Sequence, residues 1–269
     1  MEVIILRKRG RAAQLALCLA LLLCLTACSQ DKSRSYNKAV STFASGDYAA
    51  AATAFERLGD YGDAATYAAY SQGLVLFEQS QYAAAEPYFE KTRDFMYGEQ
   101  RYLTCHAGSL EAEGRFAEAA QVLEPIRDFE DTELHYQYCL GRDAAANNRY
   151  DDALTAFEAA GLYADAEDRL YNLRGQIYNR AIELRSGGSY QEAIDLFNLL
   201  GNYLSSADQA VACKEYLRDN QYHEAEELLS AGDLQGAYVL FSSLSSYRDA
   251  AARANQLAAQ LGIDTSADE

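Results

Sequence analysis

The stretch that decides the fold is Gly46-Asp47-Tyr48-Ala49-Ala50-Ala51-Ala52-Thr53-Ala54-Phe55. Its pattern is a small or turn residue, an aromatic residue two positions on, an alanine three further, and a large apolar residue four further. The pattern occurs six times along the chain. The copies are Gly46, Tyr48, Ala51 and Phe55; Ser80, Tyr82, Ala85 and Phe89; Gly114, Phe116, Ala119 and Leu123; Asn148, Tyr150, Ala153 and Phe157; Gly188, Tyr190, Ala193 and Phe197; and Gly232, Leu234, Ala237 and Phe241.

The second residue of each copy, here called the anchor, defines the period. The first four anchors are 34 residues apart, and the last two steps are 40 and 44 residues. Nine residues before the anchors stand the small residues Ala39, Gly73, Ala107, Gly141, Ala181 and Ala225, and thirteen after them the aromatics Tyr61, Phe95, Phe129, Tyr163, Tyr203 and Tyr247. A fixed period of this length is typical of stacked supersecondary units. Abundant helix formers and only two prolines predict that these units are helical.

A 34-residue period with this pattern resembles the tetratricopeptide repeat, and the resemblance covers about 36–250. The Trp and Leu of that family's first helix are poorly matched, and Asp63, Asp131, Asp165 and Asp249 replace its closing proline. The resemblance implies an all-α fold, an α-solenoid of about six helical hairpins over 36–262.

Local signals refine this expectation. Asp63, Asp165 and Asp249 precede alanines and suit helix N-caps. A capping helix is predicted from Ala250 to Leu261, stopped by Gly262, with a disordered tail over 263–269. The longer steps predict first helices over 165–186 and 206–231, the second with a break at Asp219-Asn220, and Pro87 predicts a kink or a late helix start.

The N-terminus carries a membrane-targeting signal. A basic cluster over 7–11 precedes a stretch over 12–27 that is apolar except for Gln14 and Thr26 and too short to span a bilayer, so 1–27 reads as a signal peptide. Its end, Leu25, Thr26, Ala27 and Cys28, resembles the lipobox of bacterial lipoproteins. The resemblance implies a diacylglyceryl thioether on Cys28, with 28–35 as lipidated Cys and polar tether. We therefore expect the outer face of the cytoplasmic membrane, or the outer membrane if the organism has one.

The net charge limits the partners. The formal charge is −17, which would repel phosphate backbones, so we expect no nucleic acid partner. A basic peptide would be attracted. The chain is expected to be a monomer that contacts the membrane through Cys28 alone.

Tyrosine recurs twelve residues before the anchors, and two interpretations stay open. The residues are Tyr36, Tyr70, Tyr138, Tyr178 and Tyr222, and only the third copy differs, with Thr104. In the tetratricopeptide family this position tends to face the concave groove, which would make the tyrosines a groove-binding ladder. Aromatic residues at helical spacing also fill interhelical cores, and repetition fits that equally.

No catalytic spacing is present among the histidines and cysteines. His135 and Cys139 are four residues apart on one predicted helix, and Cys105 and His106 lie on the preceding first helix. This arrangement would allow zinc, but structural zinc sites usually pair closely spaced ligands on a turn. We therefore predict no metal site, no cofactor and no enzyme. Cys105 and Cys139, one period apart, should be free buried thiols, because stacked helices lie ~10 Å apart and a disulfide needs ~7 Å or less.

The sequence favours a membrane-anchored, extracytoplasmic scaffold that binds a protein or peptide. One alternative is a lipoprotein that binds wall polymer or solute through a tyrosine-lined acidic groove. Another is a tetratricopeptide lipoprotein of outer-membrane assembly. Fold alone does not choose among them.

Overall fold

The computed structural model describes residues 30–263, and every regular element in that range is helical. The signal peptide, the lipobox, Cys28 and the end of the tail lie outside the described residues. The first helix, α1, covers 30–44. Residues 30–35 are therefore helical and mostly exposed, in the part of the predicted tether over 28–35 that the structure describes. The lipidated tether itself stays a prediction.

The chain forms two compact units, one ending at Asp143 and one beginning at Ala144. After α1, the first unit contains α2 Tyr48–Glu56, α3 Ala64–Glu78, α4 Tyr82–Glu90, α5 Gly98–Ala112, α6 Phe116–Leu123 with a 3₁₀ turn Glu124–Ile126, and the start of α7 Thr132–Ala146. The second contains α8 Tyr150–Ala160, α9 Ala166–Ser186, α10 Tyr190–Leu200, α11 Ser206–Ser230, α12 Leu234–Ser243 and α13 Ala250–Leu261.

Within each unit, helices pack on their neighbours in sequence. In the first unit the chain of contacts runs from α2 through α6, and in the second from α8 through α13. Each unit is thus an α-solenoid of helical hairpins, and the predicted all-α fold is confirmed. No hairpin can bury its apolar stripe alone, so stability comes from stacking on the next.

Side-chain size at the repeated positions explains this stacking. The alanines at 51, 85, 119, 153, 193 and 237 are all completely buried, and the large apolar residue four positions after each is buried too. Small residues allow two helix backbones to approach to ~8–10 Å. At Gly73 the closeness is visible, since an added Cβ would lie 3.0 Å from the ring of Phe89.

Two turns per repeat use a left-handed backbone. The first is the predicted hairpin turn, with positive φ at Gly46, Ser80, Gly114, Asn148, Gly188 and Gly232. The second, which the sequence did not reveal, precedes the next hairpin and has positive φ at Gly62, Met96, Glu130, Ala164, Leu204 and Arg248. Non-glycine residues adopt such φ values only at a steric cost, so stacking must hold this second turn in place.

The helix caps are partly as predicted. Asp63, Asp165 and Asp249 do stand at N-cap positions, but none of them makes a side-chain cap hydrogen bond. The capping bonds are made at the hairpin turn, where Asp47 accepts from Ala50 N and Asp233 from Gly236 N. The predicted N-cap positions of the three aspartates are therefore confirmed, without a side-chain capping bond at any of them.

The long helices and the last helix match the predicted bounds closely. α9 and α11 lie within one residue of the predictions, and α13 ends at Gly262 with φ of 69°. The predicted break at Asp219-Asn220 was wrong, because α11 runs through both residues. The late start predicted from Pro87 was also wrong: α4 begins at Tyr82 and keeps the proline inside.

Candidate functional site

The ladder tyrosines lie in the hydrophobic core. Tyr70, Tyr138 and Tyr222 are buried, with 3–5% of their surface exposed. Tyr36 and Tyr178 are half-buried and pack edge-on against Phe55 and Phe197, with ring centroids 5.7 Å apart in both cases. The three buried rings offer no face to a ligand, and the other two are partly buried against the cores of their hairpins. These positions favour the core interpretation of the tyrosines.

Their hydroxyl groups explain why tyrosine is used and not phenylalanine. The hydroxyls of Tyr178 and Tyr222 each reach the residue 27 positions later, which is the N-cap of the next helix. Tyr178 Oη lies 2.8 Å from Ser205 Oγ, and Tyr222 donates to the Asp249 carboxylate. The acceptor Asp249 and then burial raise the pKa of Tyr222. The tyrosines thus fasten one hairpin to the start of the next.

Among the described residues, His106 and His223 contact carboxylates and no nucleophile. His106 Nδ1 and Ser109 Oγ both lie within hydrogen-bond distance of the Glu86 carboxylate, at 2.9 and 2.8 Å, so they share an acceptor and do not pair with each other. His223 is exposed on α11, 3.3 Å from Glu226. These contacts are those of surface ion pairs.

Three cysteines in the described part of the chain are buried free thiols, as predicted. Burial raises the pKa of Cys105 to about 12, and it raises the pKa values of Cys139 and Cys213 as well. Thiols so shifted are poor nucleophiles at neutral pH.

One residue of this region escaped the sequence reasoning. Glu111, near the end of α5, contacts His135 Nε2 and lies with Cys139 in one cluster, whereas Cys105 and His106 stand outside it. The position of Glu111 in the repeat could have revealed its contact with His135, 24 residues later. Arg185 occupies the same position in another repeat, five residues before the anchor, and it also contacts the residue 24 positions later, Gln209.

Two open clefts provide surfaces for a ligand. In the first unit a cleft of about 400 Å³ lies between α1 and α2 and is bordered by Lys32, Lys38 and Arg57. In the second unit a cleft of about 420 Å³ lies between α10, α11 and the turn after α12. Its wall combines the apolar residues Ile194, Leu217 and Leu244 with the charged residues Asp195, Lys214 and Arg218. Such mixed linings suit the side chains of another polypeptide.

The second unit also exposes large apolar side chains. Tyr171, Val211, Tyr216 and Val239 each have more than half of their surface in water. Tyr216 stacks on Tyr190 at 5.5 Å, which holds its ring in place.

Comparison with known families agrees with this architecture. Residues 36–97 and 138–203 match the tetratricopeptide repeat model. The protein is tetratricopeptide-like. No match is found among curated proteins. Within 30–263, no helix combines the length and the apolar character that crossing a bilayer requires. Tetratricopeptide-like hairpins indicate a scaffold for protein–protein interaction and protein partners, and the fold is typical of non-enzymatic scaffolds.

Proposed function

We propose that this protein is a scaffold outside the cytoplasmic membrane, held to it by lipid on Cys28, that binds a protein partner. The observation that carries the scaffold is the packing of tetratricopeptide-like hairpins, which uses the repeated small and large apolar positions for the core and leaves the helix surfaces free for a partner. The anchor rests on the sequence Leu25 to Cys28.

The burial of Tyr70, Tyr138 and Tyr222 supports a protein partner over a wall polymer, because a polymer would need the tyrosine rings as a stacking platform. The exposed apolar residues of the second unit instead resemble the contact points of a protein interface, where aromatic side chains are enriched. We therefore propose the cleft between α10 and α11 as the partner site.

The anchor is tested by fractionation. Cys28→Ala should move the protein from the membrane pellet to the soluble fraction, because the lipid would have no thiol to attach to. Cys24→Ala changes a cysteine of the same segment and should leave the protein in the pellet. Retention of Cys28→Ala in the membrane would refute the lipid anchor.

The partner site is tested by site-specific photo-crosslinking in the native cell. A photoreactive amino acid at Tyr216, on α11, should give a discrete adduct with one protein. Asp195→Lys should reduce that adduct severalfold, because it reverses the charge of a side chain that lines the cleft. Asp168→Lys makes the same charge change on α9, outside the cleft, and should leave the adduct unchanged. An equal effect of both changes would contradict the site.

A further inference from the structure

Three side chains with metal-binding atoms converge inside the first unit. They are Glu111 on α5 and His135 and Cys139 on α7. The carboxylate oxygen, the imidazole nitrogen and the thiol sulfur all lie within 4.8 Å of one another. His135 and Cys139 share a helix face, because residues four apart are neighbours on a helix surface.

Burial makes this cluster unlike the surface ion pairs elsewhere. His135 is 3% exposed and Cys139 fully buried, whereas 19% of the Glu111 side chain reaches solvent. The carboxylate thus provides the access route from water. Burial, and next the negative charge of Glu111, raise the pKa of Cys139. The thiol therefore keeps its proton at neutral pH.

The cluster coincides with the one break in the tyrosine pattern. In the first and last copies, the residue 31 positions after the ladder tyrosine faces that ring: Tyr67 lies 6.2 Å from Tyr36, and the Arg253 guanidinium 5.3 Å from Tyr222. In the third copy the tyrosine is replaced by Thr104, and the residue 31 positions later is His135, whose Nε2 contacts the Glu111 carboxylate.

We propose that Glu111, His135 and Cys139 form a binding site for a divalent transition metal, with zinc as the ion that fits best. Nitrogen, sulfur and carboxylate oxygen are the three donor types of protein zinc sites, and three protein ligands leave a fourth position for water. Zinc–ligand bonds of about 2.0–2.3 Å place tetrahedral donors roughly 3.5 Å apart. The site reaches this geometry if the imidazole of His135 and the carboxylate of Glu111 move apart and the sulfur of Cys139 moves closer to both.

Charge favours the loaded site. One zinc ion carries two positive charges, which one carboxylate and one thiolate neutralise, while imidazole stays neutral. Loading forms bonds from zinc to nitrogen, sulfur and oxygen, and the thiol proton leaves to solvent. The bound ion would join α5 to α7 and so fix two successive first helices.

Cobalt substitution of the chelator-treated, full-length protein tests the site. One equivalent of Co²⁺ should produce a thiolate-to-cobalt absorption band in the near ultraviolet, and added Zn²⁺ should remove it by displacement. Zn²⁺ should also raise the melting temperature, since a ligand that binds only the folded state stabilises it. Absence of the band in the wild-type protein overturns the proposal.

Variants assign the ligands. Cys139→Ser should lose the band, and Glu111→Gln, which keeps the size of the side chain and removes its charge, should weaken Co²⁺ binding at least tenfold. Cys105→Ser is the matched control, because Cys105 is an equally buried thiol one period earlier; it should keep the band. A band that survives Cys139→Ser, or a Glu111→Gln variant that binds as tightly as wild type, overturns the site even if one variant folds poorly.

Discussion

Gly98 provides the sharpest test of the packing, because sequence and structure give opposite expectations there. It is the first residue of α5, and the equivalent positions of the other repeats are Ala64, Thr132, Ala166, Ser206 and Ala250. By that comparison alanine should be accepted at 98. In the structure, a Cβ on Gly98 would lie 1.8 Å from the backbone oxygen of Thr92. We therefore expect Gly98→Ala to destabilise the protein.

The magnitude follows from what must move. The obstructing atom is backbone, and Thr92 is itself buried with its hydroxyl donating to Tyr88 O at 2.9 Å, so the turn cannot shift freely. Overpacking of this kind costs about 1–3 kcal/mol, and we expect a value near the upper end. The better helix propensity of alanine returns up to about 1 kcal/mol. A net loss of about 2 kcal/mol corresponds to a fall of roughly 4–8 °C in melting temperature for a domain of this size.

The assay is thermal melting followed by far-ultraviolet circular dichroism. Gly187→Ala is the matched control, because Gly187 has an ordinary negative φ of −84° and the nearest atoms to its added Cβ are 3.5 Å away. It should melt at or slightly above the wild-type temperature. Hydrogen exchange should show faster exchange in Gly98→Ala around residues 92–98 first. If Gly98→Ala melts like Gly187→Ala, the close approach of this turn to α5 is wrong.

Three further changes probe other parts of the fold. Ala153→Phe overfills a completely buried helix crossing and should cost about 1–3 kcal/mol, seen as a lower melting temperature. Tyr222→Phe removes the hydroxyl that holds Asp249 and should lower the melting temperature by a few degrees, whereas Tyr216→Phe, on a ring 54% exposed, should not. The hydrogen bond from Tyr222, and next that from Arg253, lower the pKa of Asp249. The hydrogen bond therefore stabilises the folded protein above the ordinary pKa of an aspartate, and this stabilisation is lost as the pH falls through the lowered pKa of Asp249. The difference in melting temperature between wild type and Tyr222→Phe should accordingly disappear in acid.

The fold was predictable wherever a position constrains side-chain size. The alanine of Ala51 and the large apolar residue of Phe55 recur in every copy because two helices cross there at close range, and each crossing requires the same side-chain sizes. The second left-handed turn of the repeat has no recurring residue type. Its φ is imposed by stacking on both sides and not by the residue, so Met96, Leu204 and Arg248 share a conformation without sharing chemistry.

The tyrosines show where pattern reasoning stops. A tyrosine twelve residues before the anchor is expected both if its ring faces a groove and if its ring faces the core, so the sequence cannot separate the two. Only the partner of the hydroxyl, 27 residues later, distinguishes them. Those partners are chemically different: a serine hydroxyl at 205 and a carboxylate at 249. No single motif could therefore have revealed the contact.

Positions where the copies differ are consequently the better guide to function in this array. A residue present in every hairpin is explained by stacking, which every hairpin needs. Thr104 departs from the tyrosine pattern, and the buried His135, 31 residues later, lies in one cluster with a carboxylate and a thiol. Asp195 and Arg218 likewise occupy positions where the packing of the hairpins does not require a charged residue. The search for ligands should therefore begin at these exceptions, where hairpin packing does not explain the residue that is present.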